Sequence, residues 1–191
     1  MRAVYLGTSD FAVTVLRRLA DSRWRPTLVI TRPDRPRGRG RRLAPPPVAT
    51  AARELGIDVD QPESVNSDEA RARIASLDPD AMLICAFGAL IKEPLLSDYE
   101  WLNVHPSLLP RWRGAAPIER AIEAGDERTG VSIMRPTAEM DAGPVCLQPR
   151  LLQGDQQVQG RGRVPGVGGE QRALVPQAAV TLAVQRGQPA V

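Results

Sequence analysis

The sequence predicts an α/β protein with a Rossmann-like, mostly parallel sheet and helices on both faces. Three observations carry that expectation. The chain opens with a short apolar run at residues 2–6. Gly7 follows, then the capping candidates Thr8, Ser9 and Asp10, then Phe11, Val15, Leu16 and Leu19 at helical spacing. Residues 81–87, AMLICAF, are apolar without alternation, the mark of a central parallel strand covered on both faces. Across residues 1–150 such runs alternate with helical patterns, which builds a parallel sheet.

The elements follow in order. Residues 27–31, TLVIT, read as the second strand. Residues 32–42, RPDRPRGRGRR, contain prolines and glycines that predict an exposed loop without a regular element. A helix over residues 48–55 ends at Gly56, a brief strand covers 57–59, and Asn66 or Ser67 caps a helix running to Leu77. Asp78, Pro79 and Asp80 turn into the 81–87 strand, and Gly88 turns the chain tightly at that strand's end. Residues 101–105, WLNVH, read as a buried strand that Pro106 ends, because proline donates no hydrogen bond. A helix over 116–124 is capped by Gly125. Strands follow at 130–134 and 145–147, separated by a loop from Arg135 to Gly143.

A chain of 191 residues suits one domain of ordinary size with a short appendage, and 42% apolar content is enough for a core. The net charge of +3 is modest but unevenly spread. Residues 32–42 hold six arginines and one aspartate, so this stretch is +5 while the rest of the first 150 residues is −4. Such a focus points to a local polyanion contact, and arginine forks match phosphate geometry. A solvated loop without a partner is the alternative. Cys85 and Cys146 lie far apart in apolar runs and form no metal-spaced motif. They read as buried thiols in a reducing compartment, and no metal is expected. No signal peptide and no apolar run near the roughly 20 residues of a membrane helix is visible, so a soluble cytoplasmic protein without a membrane partner is expected. The opening turn has one glycine instead of G-x-G-x-x-G, which disfavours a nicotinamide cofactor.

His105 is the only histidine. Side chains alternate along a strand, so Asn103 and His105 share a face at the C-terminal end of theirs. Ligands of open α/β sheets bind at such ends. An amide and an imidazole can hold a developing oxyanion. By itself a lone histidine at a strand end also reads as a satisfied structural residue.

Residues 103–118, N-V-H-P-S-L-L-P-R-W-R-G-A-A-P-I, closely resemble the signature of the folate-dependent formyltransferases. G-T-S-D-F-A-V at 7–13 resembles the family's opening G-T-x-D-F-A-V, and Asp141-Ala142-Gly143 matches its D-x-G motif. The resemblance runs from Met1 to about Gln148 and is greatest to members that formylate a charged tRNA. It implies the formyltransferase fold, 10-formyltetrahydrofolate as co-substrate and initiator methionyl-tRNA as partner. The implied reaction transfers the formyl group to the α-amine of the methionyl residue, in support of translation initiation. The resemblance makes Asn103, His105 and Asp141 the catalytic set. Asn103 and His105 would donate to the oxyanion, and Asp141 would help move the proton. Without the motif, Asp141 reads as a turn former. Phe87, Gly88, Ala89 and Leu90, with Ser107, Leu108, Leu109 and Pro110, are implied folate contacts. The tRNA-directed members carry a basic R-G-R-G-type insertion at residues 32–42, which assigns Arg35, Arg37, Arg39, Arg41 and Arg42 to the tRNA acceptor end. Arg113 either shapes the turn after Pro110 or forms an ion pair. A monomer is expected.

Two other readings remain: a formyltransferase acting on a small amine such as an amino sugar nucleotide, and a non-catalytic RNA-binding fragment. Residues 151–191 show no family resemblance. They hold eight of the ten glutamines and seven glycines, with no aromatic, isoleucine or periodicity, and read as a frameshifted segment or an authentic disordered tail. Family members continue with further elements and a second, β-barrel domain. Neither is legible here, so the sheet is expected to be incomplete at its C-terminal end.

Overall fold

The computed structural model describes residues 2–38 and 40–152. These fall into two units that divide after Asn103. Apolar runs become the strands of the first unit. It contains β1 (Ala3–Gly7), α1 (Asp10–Ala20), β2 (Pro26–Ile30), β3 (Arg35–Arg37), β4 (Arg42–Ala44), α2 (Pro47–Glu54), β5 (Asp58–Asp60), α3 (Asp68–Leu77), β6 (Ala81–Cys85) and α4 (Leu95–Asp98). β7 (Trp101–His105) runs across the division. The strand order is β7-β6-β1-β2-β5, and every pair in it is parallel.

Parallel strands of this kind are covered on both faces, and β1 is buried along its whole length. Val4, Leu6, Leu28, Ile30, Met82 and Ile84 join Ile74, Phe87 and Trp101 in one core. Each such side chain contributes roughly 1.5–3 kcal/mol over leaving it in water, far more than a surface ion pair. α1 buries Ala12, Val15, Leu16 and Leu19, and the Tyr5 hydroxyl donates to the Ala12 carbonyl at 2.7 Å. Ser9 caps this helix, accepting from the Ala12 amide at 3.4 Å, with Asp10 in the first turn and Arg17 and Arg18 in the last. Of the two candidate caps for α3, Ser67 serves, accepting from the Ala70 amide at 3.3 Å.

Residues 32–42 depart from the expected irregular loop. β3 and β4 form an antiparallel ribbon, with Pro36 opposite Leu43 and Arg37 opposite Arg42. Gly38 (φ +69°) and Arg41 (φ +46°) reverse the chain, and the Arg41 amide closes the turn on the Gly38 carbonyl at 3.1 Å. Pro36 is tolerated because each strand of a two-stranded ribbon keeps one unpaired edge. α4 had no sequence signal, since a single turn is too short to show periodicity.

The second unit takes up the end of β7 and adds α5 (Pro117–Glu123), β8 (Arg128–Gly130), β9 (Ser132–Met134), β10 (Val145–Leu147) and β11 (Arg150–Leu152). The order here is β10-β9-β7, with β10 antiparallel to β9, while β8 and β11 make a separate antiparallel pair. The single strand expected at 130–134 is therefore two. The chain changes partner at Val131, whose amide donates to the Pro149 carbonyl at 3.3 Å. Cys146 corrects the expectation of two buried thiols: β10 lies at the end of the strand order, and the residue is exposed. Cys85, inside β6, is buried, and burial pushes its thiol pKa well up. The expected tail, residues 151–191, lies outside the described residues beyond Leu152.

Candidate active site

β7 carries Asn103 and His105 two residues apart, with Asn103 in register with Ile84 of β6. Pro106 ends the strand, and the chain enters a turn over 107–111 that is fastened by buried polar groups. Ser107 donates to the Arg111 carbonyl at 2.6 Å. Ser132 donates to the Ser107 carbonyl at 2.7 Å and accepts from the Leu109 amide at 3.1 Å. Gln148 donates to Ser132 at 2.9 Å and to the Leu109 carbonyl at 2.8 Å. Ser107 and Ser132 are fully buried, so these bonds replace the water they have lost.

The turn delivers Trp112, held at φ +62°, a left-handed conformation uncommon for a bulky residue. Its carbonyl oxygen lies 3.0 Å from His105 Nε2. A carbonyl can only accept, so Nε2 carries the proton in this contact. The other ring nitrogen, Nδ1, lies 3.5 Å from Asp141 Oδ2. That separation is longer than an ordinary N–H···O bond and fits a charge pair when the ring is protonated. Both side chains are sheltered, at 6% and 16% exposure.

Asp141 is also left-handed, at φ +47°, and its Oδ2 accepts from the Gly114 amide at 2.9 Å. The glycine of the D-A-G motif has a steric reason. A Cβ on Gly143 would collide with the Arg135 carbonyl and meet the Thr137 methyl at 3.0 Å. Trp112 and Asp141, both non-glycine residues at positive φ, contact His105, and strained backbone of this kind is found at functional sites.

A second set of contacts surrounds Trp112. Arg111 grips Asp126 with two bonds, Nε to Oδ2 at 2.8 Å and Nη2 to Oδ1 at 2.6 Å. The Trp112 indole N–H donates to Asp126 Oδ2 at 2.7 Å. The Arg111 and Arg120 guanidinium groups lie over the indole, at 4.3 and 4.8 Å from its centroid. The hydrogen bonds from Arg111 and then Trp112 push the Asp126 pKa down to about 2. Arg113 pairs with Glu139 at 3.6 Å on the surface, which favours its ion-pair reading.

The first unit has its own cleft, of about 550 Å³. Thr8, Ser9 and Asp10 form one wall, Arg32, Pro33 and Arg35 another, and Ala86, Phe87 and Gly88 a third. Thr8 ties two of these walls, its hydroxyl donating to the Phe87 carbonyl at 2.8 Å. Ala86 (φ +45°) and Gly88 (φ +74°) make the turn after β6.

The residues singled out from sequence are placed as follows. His105 and Asp141 come together in the second unit. Phe87 is buried in the core and, with Gly88, lines the cleft, Ala89 is half-buried and Leu90 is exposed. Ser107 and Leu109 are buried, Leu108 is half-buried and Pro110 is exposed. Arg35, Arg41 and Arg42 are exposed on the β3–β4 ribbon, which also contains Arg37. Arg39 lies outside the described residues. Sequence reasoning missed Trp112 and Asp126. They are 14 residues apart, and no periodicity links a residue in a turn to one just beyond a helix.

Residues 1–157 match the formyl transferase family. The chain is 46% identical over 174 residues to the methionyl-tRNA formyltransferase of Methylococcus capsulatus, covering 89% of this chain and 56% of that protein. It is 49% identical over 163 residues to the methionyl-tRNA formyltransferase of Xanthomonas campestris pv. campestris, covering 84% and 53%. The chain thus spans about half the length of the curated relatives it matches. Among solved structures, the phosphoribosylglycinamide formyltransferase from Anaplasma phagocytophilum matches with a TM-score of 0.71 at 21% identity, over 98% of this chain and 84% of that one. Glycinamide ribonucleotide transformylase 1 from Geobacillus kaustophilus matches with a TM-score of 0.66 at 26% identity, over 95% and 93%.

Proposed function

This chain belongs to the formyl transferase family, and we propose that it moves a formyl group from 10-formyltetrahydrofolate to the α-amine of methionyl-tRNA. The observation that carries the reading is the His105–Asp141 pair at 3.5 Å, with the opposite ring nitrogen held by the Trp112 carbonyl. The relatives at 46% and 49% identity, both named for methionyl-tRNA, supply the acceptor.

In this reading the acceptor amine adds to the formyl carbon and its C–N bond forms. The carbonyl oxygen gains negative charge, the amine loses a proton, and the C–N bond to the folate N10 breaks with a proton delivered to N10. Asn103 donates its amide N–H to the oxyanion. His105 exchanges the proton at Nδ1, because Nε2 is committed to Trp112. Asp141 stabilises the protonated ring, and the Gly114 amide keeps its carboxylate aimed. Folate is assigned to Phe87–Leu90 and Ser107–Pro110. The charged tRNA is assigned to the ribbon arginines Arg35, Arg37, Arg41 and Arg42, together with Arg39. The proposed use of charged tRNA assigns the site of action to the cytoplasm. Among the described residues no helix is long and apolar enough to cross a membrane.

The test is formyl transfer to charged tRNA by Asn103→Ala. Loss of one oxyanion donor costs about 10²- to 10³-fold in kcat. A folded Asn103→Ala variant that turns over at the parent rate would overturn the assignment. Transfer to a small amine, with none to charged tRNA, would replace the acceptor and keep the chemistry.

A further inference from the structure

We propose that Asp126 is a positioning residue for the reaction, fixing which nitrogen of His105 carries the proton by holding Trp112 in place. The inference rests on the reading that His105 moves a proton during formyl transfer. It concerns a residue that touches neither the proposed substrates nor His105.

The chain of contacts is short and lies wholly within the second unit. Asp126 follows α5, where its amide donates to the Ala121 carbonyl at 3.0 Å. One carboxylate oxygen takes both the Trp112 indole N–H at 2.7 Å and Arg111 Nε at 2.8 Å, and the other takes Arg111 Nη2 at 2.6 Å. Two neighbouring residues are thus clamped by one side chain, itself only 14% exposed. Bidentate pairing of arginine with carboxylate sets orientation as well as energy. Clamped on both sides of the Arg111–Trp112 peptide, the backbone is kept at φ +62° on Trp112, where an unrestrained bulky residue would relax. In that conformation the Trp112 carbonyl faces His105 Nε2 at 3.0 Å.

The consequence is chemical. An acceptor at Nε2 selects the Nε2–H tautomer when the ring is neutral. Nδ1 is then the nitrogen with the free lone pair, and Nδ1 is the one that lies beside Asp141. Were the Trp112 carbonyl to swing away, the proton could settle on Nδ1, facing Asp141, and the base would be lost at the position where the proton must be taken up. A partner that orients a histidine through its far nitrogen is a familiar device; here it is a backbone carbonyl with a side-chain clamp behind it.

A sole histidine makes this directly observable. A long-range ¹H–¹⁵N correlation spectrum of the intact chain, recorded where the ring is neutral, reports the tautomer of one residue without assignment ambiguity. The parent is expected to show Nε2–H. Asp126→Ala, and independently Trp112→Phe, which deletes the indole N–H and keeps a ring beneath the two arginines, are expected to shift the signals toward a mixture of both tautomers. In turnover, Asp126→Ala should lower kcat on the order of 10²-fold, the cost of misplacing a reacting group by about 1 Å, with KM nearly unchanged. Should Asp126→Ala fail to fold, Trp112→Phe decides the matter. An Nδ1–H parent, or a folded Trp112→Phe variant with the parent spectrum, overturns the proposal. If His105→Gln keeps full activity, the catalytic reading fails instead, and the spectra still decide whether Asp126 sets the tautomer.

Discussion

Cys85 and Cys146 sit in apolar runs that look alike as text, yet one is sealed inside β6 and the other is exposed on β10. A thiol reagent is therefore expected to label one cysteine rapidly in the native protein and a second only after denaturation, with Cys146→Ser removing the fast phase. Rapid labelling of both would contradict the placement of Cys85. The same contrast explains which site residues sequence could find. His105 and Asp141, which lie 3.5 Å apart, each belong to a run of distinctive neighbours, N-V-H-P and D-A-G, that the family resemblance picks out. Asp126 does not, since an aspartate after a helix end resembles any turn residue. Its carboxyl is held down at about 2 by Arg111 and Trp112, below its value in the unfolded chain. The sign follows from linkage: stability from this group is present above the ordinary carboxylate range and is lost as the pH falls through it toward about 2. Asp126→Asn should thus melt lower than the parent near neutrality, and the gap should close on acidification toward pH 2. A gap independent of pH would assign the effect to packing.

At the scale of elements, long uninterrupted apolar runs were legible and short ones were not. β1, β2 and β6 announce themselves because a strand buried on both faces admits no polar alternation. The β3–β4 ribbon hid behind proline and glycine, whose combination signals a loop until the pairing partner is known. The split of 130–134 into β8 and β9 depends on two different partners: Gly130 pairs with Arg150 and Met134 with Val145, which no local pattern records. The loop from Arg135 to Gly143 is an element of another kind, held by close approach. Gly143→Ala must move the Arg135 carbonyl away from the new methyl, and the Arg135 amide with it, which now donates to Pro144 at 3.0 Å. Overpacking of this kind costs about 1–3 kcal/mol, and at roughly 2–4 °C per kcal/mol for a chain of this size the melting point should fall by several degrees. Because Asp141 lies two residues away, kcat should fall as well. An unchanged melting curve would show that the loop is free to relax.

For the molecule as a whole, charge decides more than its total suggests. A net charge of +3 gives little long-range attraction to a polyanion, but the +5 of residues 32–42 is concentrated on a single hairpin. Pairing in β3–β4 turns a flexible run of arginines into a ribbon from which Arg35, Arg41 and Arg42 extend into water, so less ordering is left to do when a phosphate backbone arrives. Counterion release then ties affinity to salt: each phosphate contact contributes about 0.7–0.9 to the slope of log K against log salt. If the proposed tRNA contact is made through this ribbon, replacing Arg35, Arg41 and Arg42 by alanine should reduce the slope by about 2–3 and weaken binding most at low salt. Transfer to a small soluble amine, where the enzyme accepts one, should be unaffected by replacing Arg41 and Arg42 alone, which do not line the cleft, whereas Arg35 lines it along with Phe87 and Gly88 and is left in place for this control. A slope that stays at the parent value would place the nucleic acid elsewhere, and a loss of small-amine transfer would show that the ribbon shapes the reaction site as well as the approach of the tRNA.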